Sequence, residues 1–343
     1  MSALPPAAAI AEIDARDMNR ESFEKSIRAM DQPVVLRRLA SDWPAVATAQ
    51  AGDSALLSRL AQAASVRPVT VLVGAPEIDG RFFYADGLTS FNFTQGRAAL
   101  SPFLAELLRE RDVVRPRALA IQSEVVADLL PGFSAAHRCP LVDQTVNPRI
   151  WIGNRVRVAP HFDLNENIGI VVAGHRRFTL FPPGEIANLY AGPFEFTPAG
   201  TPISLVELAN PDLARFPRFA AAWANATTAE LGPGDAIYIP YLWWHGVDSL
   251  DAVNVFVNYW WNEARAGLGN PYDALLHALY AFRHLPENQR AAWSAIVGHY
   301  AFAANGDPGG HLPVAAQGIV GDLSPELLNS IRATLQRNLG PPR

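Results

Sequence analysis

The chain has 343 residues, 49% of them hydrophobic and 18% charged, with a formal net charge of -5, which reads as a globular protein of one large or two ordinary domains. That acidic balance provides no general attraction to nucleic acid or an anionic membrane. With no run of about 18 apolar residues and no basic stretch leading into an apolar one in MSALPPAAAIAEIDARD, the expectation is a soluble, unexported, cytoplasmic protein.

In chain order, residues 20 to 62 read as helix-rich, with Phe23, Ile27 and Met30 along one face of the first helix. Pro33-Val-Val-Leu-Arg-Arg reads as a short buried strand, and Arg67 to Phe93 mixes β-branched runs with the turn signals Asp79-Gly80 and Asp86-Gly87. Residues 97 to 111 return to helical periodicity. The single cysteine, Cys139, cannot form an internal disulfide and reads as an inert small residue beside Pro140.

From Ala118 to Trp261 short strands are punctuated by Gly and Pro: Ile150 to Val158, Ile168 to Val172, Arg177 to Phe181, Ala236 to Ile239 and Asn254 to Trp260. Such a series favours a sandwich or barrel over a doubly wound sheet. Pro182 to Ala229 carries Pro183, Pro193, Pro198, Pro202, Pro211 and Pro217, which would break regular ladders, so it reads as a decorated insertion with helical pieces, placed to supply substrate contacts. Beyond Trp261 the pattern is helical again, over Pro271 to Phe282 and over Ser324 to Arg332, where Ser324 suits an N-cap and Pro325 the first helical position.

Within the strand-rich part, His161-Phe162-Asp163 places an imidazole and a carboxylate two residues apart, and on a strand such residues share a face. A third ligand is offered by His245, which follows Gly234-Asp-Ala-Ile-Tyr-Ile-Pro and two tryptophans. Two histidines and one carboxylate leave open positions on iron, although zinc or manganese suits the same donors. A strand histidine satisfied by its neighbours is the plain alternative; it would leave Asp163 beside apolar strands without an evident partner. His137, His175, His277, His284, His299 and His311 show no paired ligand pattern and read as structural or exposed.

These segments, together with Asn167, Gly174-His-Arg-Arg-Phe-Thr-Leu-Phe-Pro-Pro183, Trp243-Trp-His245 and Val257-Asn-Tyr-Trp260, resemble the cupin-like JmjC family across residues 117 to 262. Upstream, Pro33 to Pro44 resembles the family's usual N-terminal segment. The resemblance implies a mainly β protein with flanking helices, built on a double-stranded β-helix (cupin or jelly-roll) core. It implies residues 1–116 as a helix and strand region packing on that core, 117–262 as the core, and 263–343 as a C-terminal helical region used for homodimer pairing. It further implies Fe(II) on His161, Asp163 and His245, and 2-oxoglutarate as cosubstrate beside Asn167 and Asn258.

The family's usual lysine for the distal carboxylate of 2-oxoglutarate is replaced here by Arg176, which can form a bidentate pair but has a larger head and a different reach. Relative to the family's asparaginyl hydroxylase, a tyrosine becomes Ala120 and a threonine Val158, so two hydroxyls are missing. Arg155 and Arg157 share strand parity with His161 if no bulge intervenes, and offer replacement anchors. Trp244 and Trp260 read as core residues. The expected function is an Fe(II)- and 2-oxoglutarate-dependent dioxygenase hydroxylating a protein side chain or small molecule. The alternatives are a metal-holding cupin with a sensing or binding role, and a metal-dependent hydrolase or isomerase, for which no separate general base is evident.

Overall fold

A computed structural model describes residues 4–264 and 267–339. They form two compact units that divide between Asn262 and Glu263.

The first unit is built on two sheets. A six-stranded sheet runs Ala8–Ala9, Thr227–Leu231, Arg176–Phe181, Trp244–Ser249, Arg157–Phe162, Arg81–Phe82 in spatial order. A nine-stranded sheet runs Ala11–Asp14, Val34–Arg37, Ala236–Ile239, Glu166–Ala173, Asn254–Trp261, Arg149–Gly153, Ala118–Val125, Val69–Gly74, Phe93–Ala98. From Arg149 on, successive strands pass from one sheet to the other at every step but one, Arg176–Phe181 to Thr227–Leu231, which pair within the six-stranded sheet. This is the winding of a jelly-roll, and the mainly β cupin-like core expected from the sequence is what the chain forms. Segments before residue 117 supply four strands of the nine-stranded sheet, two at each end, so the sheet runs through that boundary without a break.

Side-chain alternation decides which residues face the space between the sheets. On Glu166–Ala173, Ile168, Ile170 and Val172 pack outward under the helices, while Val171 packs inward. On Asn254–Trp261, Val255, Val257 and Tyr259 face the helices and Phe256 faces in. The same parity puts Asn167, Asn258 and Trp260 on the inner face.

The outer layer follows ordinary helix chemistry. Arg20–Ser26 opens with a capping box in which Asn19 and Ser22 satisfy each other's backbone amides. Phe23 and Ile27 are buried as expected, but the helix stops at Ser26 and Met30 lies exposed on a following 3-10 turn. Leu100–Glu110 buries Leu100, Phe103, Leu104 and Leu107, a helical stripe; residues 97 and 98, expected in this helix, instead end the preceding strand. Pro44–Gln50 has no cap of its own, and His137 supplies one from across the fold by accepting the Ala45 amide at Nε2 while its Nδ1 meets the Phe133 carbonyl.

Two further differences from the sequence expectation bear on the site. Ile150 to Val158, read as one strand, is broken by a turn at Asn154, and its halves join different sheets. Before residue 20, where the sequence reading assigns no element, Ala8–Ala9 and Ala11–Asp14 add short parallel strands, one to each sheet.

The second unit contains the helices Pro271–Phe282, Glu287–Tyr300 and Pro325–Asn338. Asn270 caps the first, and Ser324 Oγ caps the last by accepting the Leu327 amide at 3.2 Å, with Pro325 at the first helical position as read from the sequence. No residue of these three helices is buried. No helix among the described residues is long and apolar enough to cross a membrane.

Candidate metal centre

His161 ends one strand of the six-stranded sheet, and His245 lies directly opposite it on the antiparallel neighbour. The rings are 4.3 Å apart between centroids and inclined at 52°. Asp163 follows immediately after the first strand and brings Oδ2 to 3.5 Å from His245 Nε2. One ligand atom from each residue lies within 4.8 Å of the other two, so the trio named from the sequence is gathered at one point.

Backbone carbonyls orient both imidazoles. His161 Nδ1 donates to Ala159 O at 3.0 Å, and His245 Nδ1 donates to Trp243 O at 3.1 Å. With Nδ1 carrying the proton, each Nε2 keeps a lone pair, the state a metal ligand requires. Burial, reinforced by neighbouring His245, holds the His161 imidazole well below its usual pKa and so favours the neutral form. Two imidazoles and a carboxylate fit a divalent metal of the iron, zinc or manganese kind.

A hydrogen-bond chain leads away from this cluster. Asn167 Nδ2 approaches Asp163 Oδ2 at 3.5 Å, Asn258 Nδ2 donates to Asn167 Oδ1 at 3.2 Å, and Trp151 Nε1 donates to Asn258 Oδ1 at 2.8 Å. The indole N–H can only donate, so it fixes which end of Asn258 is oxygen and, through it, how Asn167 presents itself to Asp163.

All of these residues line one cavity of about 400 Å³, and Arg176 lines it as well. Arg176 is buried, its guanidinium lies 4.6 Å over the Phe256 ring, and its Nε has no hydrogen-bond partner. Desolvation draws its pKa down to about 9, which still leaves it charged at neutral pH. Among the described residues no carboxylate lies within ion-pair distance of it. A buried cation without a counter-charge is costly, and the cost is met if an anionic ligand enters. Gly169 supports this placement: a Cβ there would collide with the Phe256 ring on which Arg176 rests.

The alternative anchors do not reach the cavity. Val158 pairs with Val247 and His161 with His245, so three residues on one strand span two on the other. This bulge reverses the parity: Val158 lines the cavity, while Arg157 turns to Asp79 at 3.0 Å and Glu207 at 3.4 Å. Arg155 lies in the turn before the strand and donates to the Leu250 carbonyl. Ala120 is buried behind the wall, in an apolar cluster with Leu72, Phe82 and Phe93, which line the cavity while it does not.

Of the two tryptophans read as core, Trp244 is buried edge-on to Phe162, whereas Trp260 lines the cavity. Inward parity beside Asn258 accounts for the difference. The insertion contributes Pro198, Ala199 and Ile203 to the wall, and Thr201 Oγ1 bonds the Phe162 carbonyl at 2.6 Å, tying the insertion to the ligand-bearing strand. Sequence reading missed Gln122 and Ser123, which also line the cavity; their only signal is polarity in an otherwise apolar strand.

A cupin-like domain model matches residues 20–266. Human HSPB1-associated protein 1 is 33% identical over 148 residues, 42% of this chain and 30% of that protein. The Arabidopsis thaliana lysine-specific demethylase JMJ31 is 35% identical over 114 residues, 33% of this chain and 20% of the relative. Human tRNA wybutosine-synthesizing protein 5 is 36% identical over 103 residues, 30% of either chain. The chain therefore covers less than a third of the length of each of these relatives.

Proposed function

The chain belongs to the cupin-like domain family, and from that premise we propose that it is an Fe(II)- and 2-oxoglutarate-dependent oxygenase that hydroxylates a protein side chain or a small molecule. The observation that carries this reading is Arg176, a buried guanidinium without a counter-ion in the same cavity as His161, Asp163 and His245. A metal alone gives that cation no purpose; a dicarboxylate that also reaches the metal does. Iron and 2-oxoglutarate, when bound, would supply the oxidising chemistry with O₂. The chain's own residues position and shield: the two histidines and Asp163 hold the metal, Arg176 takes the far carboxylate, and Asn167 and Asn258 flank the space between.

Two of the relatives carry names for lysine demethylation and tRNA modification, and a third for association with another protein. Val158 favours a second reading, a metal-holding cupin with a binding or sensing role, because it presents methyls to the cavity where the related hydroxylase has a hydroxyl. Aerobic incubation with Fe(II) and 2-oxoglutarate separates the two. Succinate is expected from the wild type and not from His161→Ala, and because turnover without substrate is slow, direct binding of 2-oxoglutarate is measured beside it. Wild-type protein that neither binds 2-oxoglutarate nor forms succinate leaves the sensing reading in place.

For residues 263–343 we propose a pairing role in a homodimer. Leu275, Leu276, Trp293, Ile296 and Leu335 remain exposed on its helices, apolar surface that a two-fold interface would bury symmetrically. Light scattering of the full chain is expected to give twice the monomer mass, and truncation after residue 265 to give monomers or insoluble protein. A full-length chain that stays monomeric at high concentration ends the proposal. A cytoplasmic location is proposed with it, in keeping with Cys139 as a buried free thiol.

A further inference from the structure

Among the described residues, no ionisable side chain beyond the three candidate ligands and Arg176 lines the cavity. Once a divalent metal and a dicarboxylate are bound, their charges cancel, and Asp163 offsets Arg176. The rest of the wall then offers a substrate no net field.

Six aromatic residues stand in that wall: Phe82, Phe93, Trp151, Phe178, Phe256 and Trp260, and Arg176 already lies over Phe256, whose ring tilts against Phe178 at 5.9 Å. Such a set can form a box for a methylated ammonium, so the availability of the rings decides. Phe82 meets Phe93 edge-on at 5.1 Å, and Trp151 meets Trp260 edge-on at 6.0 Å. The Arg149 guanidinium lies over Trp260, 5.8 Å from the ring centroid. Arg149 donates only to neutral acceptors, the carbonyl and hydroxyl of Ser123, so its charge is not cancelled by contact. A methylated ammonium brought to these rings would shed its water, find no carboxylate but Asp163, and face a fixed positive charge.

The polar part of the wall is built at some conformational expense. Gln122 and Ser123 together stand opposite the single residue Trp151 in the pairing of Ala118–Val125 with Arg149–Gly153. This bulge lets two consecutive side chains line the same cavity, which a regular strand forbids. Ser123 takes a left-handed conformation, φ 56°, and Arg149 Nε holds its hydroxyl at 2.6 Å. Strain of this kind persists where the surroundings enforce it. What it delivers is the Gln122 carboxamide, a neutral donor and acceptor that makes no hydrogen bond within the described residues.

We propose that the substrate group entering this cavity is uncharged, with its polar atoms read by Gln122 on the bulge, and that Arg149 with the occupied aromatic faces excludes methylated ammonium groups. This rests on the oxygenase reading and narrows it: hydroxylation of a neutral group is selected over removal of a methyl from a charged one.

The test uses the full chain loaded with Zn(II) and 2-oxoglutarate, so that nothing turns over, and compares choline with neohexyl alcohol, its uncharged carbon isostere, by ligand-observed NMR titration. The wild type is expected to prefer the alcohol by about tenfold or more, the scale of an unpaired charge placed on a partly desolvated wall. Arg149→Met should narrow that preference, and Gln122→Glu should turn it toward choline. Choline binding as tightly as the alcohol to the wild type overturns the proposal, as does Gln122→Glu with the preference unchanged. Failure of both probes to bind also overturns it, because the wall then receives no such group. The 2-oxoglutarate resonances in the same samples report separately on the underlying reading: if 2-oxoglutarate does not bind, that reading fails, whatever the probes do.

Discussion

His161→Ala, Asp163→Ala and His245→Ala are each expected to reduce Fe(II) affinity by at least about 100-fold, since even the residues that merely orient metal ligands are worth 10–100-fold. The geometry explains why no neighbour can substitute. The three donors come from the end of one strand and the facing position of the next, and no other His, Asp, Glu or Cys lines the cavity. The fold should survive. Each histidine's protein contacts at Nδ1 are to a carbonyl two residues away, Ala159 or Trp243, and losing one such partner costs on the order of 1–2 kcal/mol. Asp163→Ala removes a carboxylate whose neighbours, Asn167 and His245, keep other partners. Equilibrium dialysis reads stoichiometry and affinity, and circular dichroism reads the fold. Wild-type metal binding in all three folded variants would eliminate the assignment.

The grouping of His161, Asp163 and His245 was legible in the sequence because its signals are local. His161 and Asp163 are two residues apart, and His245 closes a motif whose turn and strand are both written in Gly234-Asp-Ala-Ile-Tyr-Ile. The inward placement of Asn167 and Asn258 follows from alternation along regular strands, which a sequence displays directly. Bulges are where this reasoning stops. One extra residue between Val158 and His161 sends Arg157 away from the cavity, and another at Gln122 and Ser123 brings in two side chains that alternation would have separated. A bulge is decided by partner strands distant in sequence: Ala159 and Pro160 stand opposite Gly246, more than eighty residues on, and Gln122 and Ser123 opposite Trp151. The turn at Asn154 is similar: Asn154 Oδ1 accepts the Leu119 amide and its Nδ2 donates to the Arg117 carbonyl, tertiary bonds that divert an otherwise strand-like run. Trp260 was misjudged for a different reason, since an aromatic residue at an inward position looks the same in sequence whether the interior is packed or hollow.

Arg176→Leu is expected to raise the dissociation constant for 2-oxoglutarate by about 100-fold, the worth of a charge-assisted bidentate pair in a desolvated site, while Fe(II) affinity changes little. The side chain acts at a distance from the ligands: it rests on Phe256 and has no hydrogen bond from Nε to any of them. The same substitution should not lower the stability of the ligand-free protein and should raise it, because leucine removes a buried, unpaired cation from an apolar setting of Phe178, Val247 and Phe256. A purely structural arginine would show the opposite pairing, with lost stability and unchanged ligand affinity. Isothermal titration with 2-oxoglutarate on Zn(II)-loaded protein and thermal unfolding of the metal-free protein read the two halves independently. Equal affinity in variant and wild type would refute the anchor, and since among the described residues Arg176 is the one arginine or lysine that lines the cavity, it would remove the electrostatic case for a dicarboxylate in this site altogether.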